Sequence, residues 1–279
     1  MQVNVDPAEI QSIVSMSASV PRLAKLACDP EVDLAEICRV IEYDQVITAQ
    51  VLHWANSAWS ASQSQILTVK DAVVRCGVGQ VVKLVMGHCL AKPLKNTVPG
   101  YDLLENELWQ HSVAAALAAE CLEKIVHKNL PAPAFTVALM HDIGKLLLER
   151  HLGPEVMEEM RHQITERGIS YIEAEREMLG TDHAVLGGAI ARYWQFPETL
   201  VAGIEQHHTE IHVPDPLLDS VQVANAVAKL IGVGLGSEQM NLTIHPGVPR
   251  RLGLTSSGME SLCALVQSRL AETLSQWEA

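Results

Sequence analysis

Residues 103–128 read LLENELWQHSVAAALAAECLEKIVHK. A run this rich in leucine and alanine predicts one long helix, because these side chains lose little rotamer freedom on entering one. The alanines at 114, 115, 116, 118 and 119 leave room for a neighbouring helix to come close. Working outward, helix signals recur and strand alternation does not. Downstream, Pro131 and Pro133 mark a turn, and a buried helix is predicted from Phe135 through HDIGKLLLERHL. Charged amphipathic helices follow at 154–167 and 171–178, the second ended by Gly180. Asp182 is placed to cap HAVLGGAIARYW, which Pro197 closes, and helices are predicted over 198–208, 217–231 and 257–277. Upstream, Asp6-Pro7, Asp33 and Thr68 read as helix starts. Leu34, Ile37, Val40 and Ile41 form one apolar stripe at helical spacing, and further helices are predicted over 47–55 and 79–90. The fold class is all-α.

Composition agrees. Of 279 residues, 48% are apolar, 19% charged and only 4% aromatic, with mean hydropathy +0.13, which excludes a disordered chain and disfavours a sheet. The length favours two compact lobes. The segment KPLKNTVPG (92–100) is the predicted joint, dividing an N-terminal helical lobe, 1–99, from a second lobe, 100–279, that carries a C-terminal helix.

The net charge is −13 and uneven: 8 basic and 9 acidic groups over 1–99, against 12 and 24 over 100–279. Such a surface repels phosphate backbones and anionic lipid, so neither nucleic acid nor membrane is an expected partner. The opening MQVNVDPAEI shows no basic region followed by an apolar one, and the longest uncharged stretch, 45–69, is broken by His53, Asn56, Gln63 and serines. Six cysteines without a CxxC pair read as reduced thiols. The expected location is the cytoplasm.

Chemistry concentrates in the histidines. His111, His141, His183, His207 and His208 fall on predicted helices with faces able to meet, and Asp142 adjoins His141. A His-Asp pair offers a nitrogen and a bridging oxygen from one backbone element, a combination that suits iron, manganese, nickel or zinc. Glu107, four residues before His111, shares its helix face and adds a second carboxylate. His53, His88, His127, His151, His162, His212 and His245 have no second ligand at a useful spacing and read as structural or solvated. Asn56 and Ser57 are explained by a helix terminus, and Glu158, Glu159, Glu173, Glu175 and Glu177 by a solvated face.

HDIGK (141–145), preceded by WQHS (109–112) and AFTVAL (134–139), resembles the HD superfamily of metal-dependent phosphohydrolases. EMLGTDHAVLGGAIARYWQFPETLVAGIEQHH (177–208) is similar to its HDOD branch, an output domain of bacterial signalling proteins. So are VPRLAKLA (20–27), VIEYDQVITAQVLHWANSAW (40–59) and VKDAVVRCGVGQVVKLVMG (69–87), so the likeness covers about 13–231. The resemblance implies an HD-like helical bundle with an N-terminal helical lobe. It implies metal ligands at His111, His141, Asp142 and His183, with His207 and His208 matching the paired histidines of the HD-GYP phosphodiesterases and Glu107 a glutamate ligand of some of them. Lys145 matches a lysine that faces substrate phosphate there, although pairing with a carboxylate would explain it equally.

Two departures stand out. The last metal-binding aspartate of the family falls where this chain has Asn225, and TEIHVPDPL replaces the GYP loop. The resemblance therefore implies a non-catalytic signalling module with a degenerate metal pocket and a protein partner. The alternative is a phosphohydrolase acting on a nucleotide or cyclic dinucleotide. The final helix could also pair two copies into a homodimer.

Overall fold

Short polar side chains start the helices, as the sequence predicts. Asp6 accepts the Ala8 N–H at 2.9 Å, Asp33 that of Ala35 at 2.9 Å, Thr68 that of Asp71 at 3.1 Å and Asp182 that of Val185 at 2.8 Å. Each satisfies a backbone donor that the helix itself leaves unpaired. The computed structural model describes residues 6–13, 16–29, 31–56, 66–210, 213–238 and 244–278. Ser57 and His212 lie outside them.

The chain first forms α1 (Pro7–Ile13), α2 (Ser19–Ala27), α3 (Leu34–Glu42), α4 (Gln45–Ala55), α5 (Val69–Cys76) and α6 (Val78–Leu94). Next come α7 (Glu107–Val126), α8 (Ala134–Met140), α9 (Lys145–Leu148), α10 (Pro154–Arg167) and α11 (Tyr171–Leu179). The last are α12 (His183–Tyr193), α13 (Glu198–Glu205), α14 (Pro216–Leu230), α15 (Gly247–Leu252) and α16 (Ser256–Glu278). Among the described residues the only extended pairing is an isolated bridge, Val98 to Leu103. The fold is all-α.

The central element is α7. Its alanine run is buried, and α8, α14 and α16 pack around it. Apolar side chains from Ile10 to Val266 join in one cluster. Among the described residues no single helix is long and apolar enough to cross a membrane.

Four predicted boundaries shift. The long helix begins at Glu107 rather than Leu103, because Leu103 is engaged in the bridge and Asn106 sits at φ 69°. The segment 92–100 starts inside α6, whose last turn contains Pro93, and leaves it at Lys95. The helix predicted over 135–152 is interrupted at 141–144. The helix expected to reach His208 stops at Glu205, so the paired histidines sit in the turn beyond it.

Asn56 closes the end of α4. Its amide donates to Leu52 O and Ile66 O, both at 2.8 Å, and its carbonyl accepts the Ile66 N–H at 2.7 Å.

Candidate metal centre

The interruption at 141–144 builds the site. Here α8 gives way to a tight turn, with Ile143 N–H donating to Met140 O and Lys145 N–H to Asp142 O, both at 3.0 Å. Gly144 lets this turn press against α12: a Cβ there would lie 1.9 Å from the His183 carbonyl oxygen and 2.5 Å from Gly187 N. The same contact brings His183, at the start of α12, up to His141 and Asp142. His111 comes from α7, and His207 and His208 from the turn after α13.

The five histidines and Asp142 converge. Donor atoms of Asp142, His183, His207 and His208 lie within 4.8 Å of one another, as do those of His111, His141 and Asp142. Asp142 is common to both groups and divides its oxygens between them. Its Oδ2 faces His141 Nε2 at 3.3 Å and His111 Nε2 at 3.6 Å; its Oδ1 faces His183 Nε2 at 3.4 Å and His207 Nε2 at 3.9 Å.

Neighbouring groups set each tautomer. His141 Nδ1–H donates to Ala138 O and His207 Nδ1–H to Ile204 O, both at 2.7 Å, leaving each Nε2 lone pair aimed inward. His183 Nδ1 is held at 2.9 Å by both oxygens of Glu175, which also accepts the His183 backbone N–H at 2.8 Å and the Tyr101 hydroxyl at 2.7 Å. A carboxylate behind an imidazole in this way fixes the ring and makes it a better ligand.

This arrangement fits a cation. His141 Nε2, His207 Nε2 and Asp142 Oδ1 are buried without a hydrogen-bond partner, a costly state for groups that water would otherwise satisfy. Neutral His111 faces two oxygens, Val233 O at 3.0 Å and Asn225 Oδ1 at 3.2 Å, yet can donate a proton to only one of them. His183 Nε2 and His208 Nε2 approach to 3.0 Å. The inward-facing Nε2 lone pairs of His141 and His207, beside a carboxylate oxygen that nothing else satisfies, suit a shared positive ion.

Burial governs the titration. It lowers His111 to about 4, and together with adjacent imidazoles drives His207 and His208 well below the ordinary range. His183 runs the other way: burial opposes its charge, but Glu175 outweighs it and raises the pKa. Burial would also raise the Asp142 carboxyl, yet the facing His141 imidazole and the Lys145 ammonium hold it well below the usual value.

A pH dependence of stability follows. An unfolded imidazole titrates near pH 6.5, so between about 6.5 and 4 the unfolded chain takes up protons that folded His111, His207 and His208 refuse. Stability therefore falls as pH drops through that window. His111 alone contributes a loss of about 3 kcal/mol by its lower end. The raised pKa of His183 gives stability present at low pH and lost as pH rises through it, one group against three. Urea denaturation of the metal-free protein at pH 7.5, 6 and 5 checks this, and equal midpoints would refute it.

Two residues predicted for the site have other partners. Glu107 turns back to accept the Leu104 N–H at 2.8 Å and is not among the converging donors. Lys145 is buried, donating to Asp142 Oδ2 at 2.8 Å and pairing with Glu238. Asn225 does face the centre, through His111.

Sequence reasoning missed Glu175, Tyr101, Lys229 and Glu238. Glu175 is fully buried rather than part of a solvated face; Tyr171, Ala174, Glu175 and Leu179 form the buried side of α11, a helical spacing that was available as a signal. Glu158, Glu159, Glu173 and Glu177 are exposed, and so are His53, His88, His127 and His162. His151 lies 3.6 Å from Glu9 and His245 3.1 Å from Glu210.

A helical bundle that gathers histidines from several helix ends around a buried His-Asp turn is the architecture of the HD-like class. Within that class the HDOD domain matches residues 13–210, and the chain belongs to the HDOD family. It is similar to an HDOD domain protein with unknown function from Geobacter sulfurreducens, at 26% identity and TM-score 0.68 over 98% of this chain and 96% of that one. It shares its fold with a candidate signal transduction protein from Marinobacter aquaeolei VT8, at 19% identity and TM-score 0.72 over 100% of this chain and 63% of that one. An uncharacterized protein of Treponema pallidum (strain Nichols) is 24% identical over 226 residues, which are 80% of this chain and 43% of that relative's length. The chain thus spans less than half of the curated relative it matches.

Proposed function

We propose that the chain is a non-catalytic regulatory module of signal transduction. Its buried His/Asp centre sets a conformation that a protein partner reads through the N-terminal helices, residues 1–99. The observation that carries this reading is the supply of carboxylate. Asp142 is the one acidic residue in both donor groups, Lys145 already engages its Oδ2, and Asn225 offers His111 only a neutral oxygen. Divalent ions held close together repel, and a single shared carboxylate offsets little of that repulsion.

His111, His141, Asp142, His183, His207 and His208 are the residues that would hold a metal, with Asn225 beside them. The mixed imidazole–carboxylate set suits iron, manganese, nickel or zinc. Such an ion would supply Lewis acidity when bound. The partner is a signalling protein or, through α16, a second copy of the chain; the acidic surface argues against nucleic acid and anionic membrane.

A second reading, a phosphohydrolase acting on a nucleotide or cyclic dinucleotide, is favoured by one observation. The orphaned Nε2 atoms of His141 and His207 face the two oxygens of one carboxylate, a donor set suited to a reactive metal. Elemental analysis, followed by assays of phosphomonoesters, nucleotides and cyclic dinucleotides with added manganese, iron and nickel, separates the two. The expected result is bound metal without turnover. Turnover abolished in Asp142→Ala would replace the regulatory reading with the enzymatic one.

Asn225→Asp is expected to raise metal affinity by about tenfold, the 1.4 kcal/mol scale on which a charged oxygen improves on a neutral one. Calorimetric titration measures it. Unchanged or weaker binding would mean that position 225 does not contribute.

A further inference from the structure

Between α6 and α7 the backbone closes on itself. Val98 N–H donates to Leu103 O at 2.9 Å and Leu103 N–H to Val98 O at 3.2 Å, with a single 3-10 turn, Pro99–Tyr101, held between them. Beyond it Asn106 N–H reaches back to Lys95 O at 2.9 Å, tying the start of α7 to the end of α6. A unit closed by its own hydrogen bonds moves as one body, so whatever holds Tyr101 holds the joint between the N-terminal helices and the rest of the chain.

Tyr101 is held from the His/Asp centre. Its ring is buried, tilted against Tyr171 with centroids 5.1 Å apart and edge-on to the His183 imidazole at 6.2 Å. Its hydroxyl donates to Glu175 Oε1 at 2.7 Å, and the same oxygen faces His183 Nδ1 at 2.9 Å. Tyr101, Glu175 and His183 are 1%, 0% and 1% exposed, so no water competes for these bonds. A phenylalanine would fill the same space. What the hydroxyl adds is one bond, aimed at the carboxylate that orients His183. Two donors on one oxygen cannot move independently, because a shift of either changes the angle left to the other.

We propose that Tyr101 is a positioning residue through which the His/Asp centre and the α6–α7 joint set each other's geometry: acting through Glu175, its hydroxyl holds the His183 imidazole, and a metal on that imidazole in turn holds the joint. The proposal rests on the reading of the centre as a regulatory site and names the route by which its state reaches the N-terminal helices. The coupling is reciprocal, so a disturbance of the joint must be felt at His183.

The test disturbs one end and reads the other, in the full chain after chelation. Gly100→Ala displaces the turn from its outer side: the methyl would meet Glu149 Oε2 at 2.5 Å and Leu152 Cδ1 at 2.7 Å, both ends of flexible side chains, so the chain should still fold. The imidazole nitrogen signals of His183, read by NMR at one pH, should shift in Gly100→Ala. In the Tyr101→Phe background the same substitution should leave them where they are. No shift in Gly100→Ala overturns the proposal, and so does an equal shift with and without the hydroxyl, which sends the disturbance by another path. With zinc as the probe, Tyr101→Phe should bind about tenfold more weakly, the lower end of what losing a group behind a metal ligand costs; unchanged affinity also overturns it.

Should Tyr101→Phe not fold, hydrogen exchange in the unsubstituted chain decides. Saturating zinc should slow the Tyr101 and Leu103 amides at least about tenfold more than the Gly168 amide, which closes α10 on Ile164 O far along the chain. Equal slowing overturns the proposal. The imidazole signals are read without metal, partner or turnover, so failure of the link is distinct from failure of the regulatory reading.

Discussion

Gly144→Ala is expected to cost roughly 3 kcal/mol and to disperse the His/Asp cluster in the same step. The added methyl would meet the His183 carbonyl oxygen at 1.9 Å and Gly187 N at 2.5 Å. Both are backbone atoms, so no side-chain rotation relieves the overlap, and α9 and α12 must part. Because His183 is the first residue of α12, separation of those helices carries its imidazole away from Asp142 and His208.

Gly79→Ala is the matching control. A Cβ at this position meets nothing within 4 Å, and replacing a helical glycine by alanine should stabilise by about 0.5–1 kcal/mol. Chemical denaturation and metal content are read on both variants. If Gly144→Ala unfolds within about 1 kcal/mol of the unsubstituted chain and keeps its metal, the close approach is not what holds the site together.

Asp142→Asn should have the second largest effect, on metal rather than on fold. The substitution keeps size and shape but removes the charge common to both donor groups. Affinity is expected to fall by at least about a thousandfold, beyond the 10–100-fold that outer-shell changes cost. Stability should fall by about 3 kcal/mol, near the lower end for breaking a buried pair, since Lys145 retains Glu238. Competition against a chromogenic chelator measures the first quantity and urea denaturation the second. Retained metal at near-normal affinity would mean that the imidazoles suffice.

These expectations separate what is local in the sequence from what is not. The caps at Asp33, Thr68 and Asp182 were legible because a capping side chain reaches only two or three residues along its own chain. The His/Asp set was legible through its likeness to the HD superfamily, since no local pattern says that side chains at 111, 141, 183 and 207 meet. The break at 141–144 was not legible. Leucine and isoleucine on both sides continue a helical pattern, and what packs against the break is a backbone carbonyl some forty residues downstream.

Glu107 shows the converse error. The spacing of four does place it on the face of His111, but a side chain in the first turn of a helix has a nearer use, and it accepts the Leu104 N–H instead. Glu175 was hidden among glutamates that are exposed, and Glu238 lay in a segment with no periodicity to read.

One further consequence comes from the way Asp142 divides its two oxygens. The donor groups on either side of it cannot be filled independently, because whatever charge one group gains is felt by the other, and the coupling is reciprocal. Occupancy of the pair cannot then be described by a single binding constant. Were metal to bind there, the stoichiometry found in a preparation would be a variable of state, set by how much ion is available.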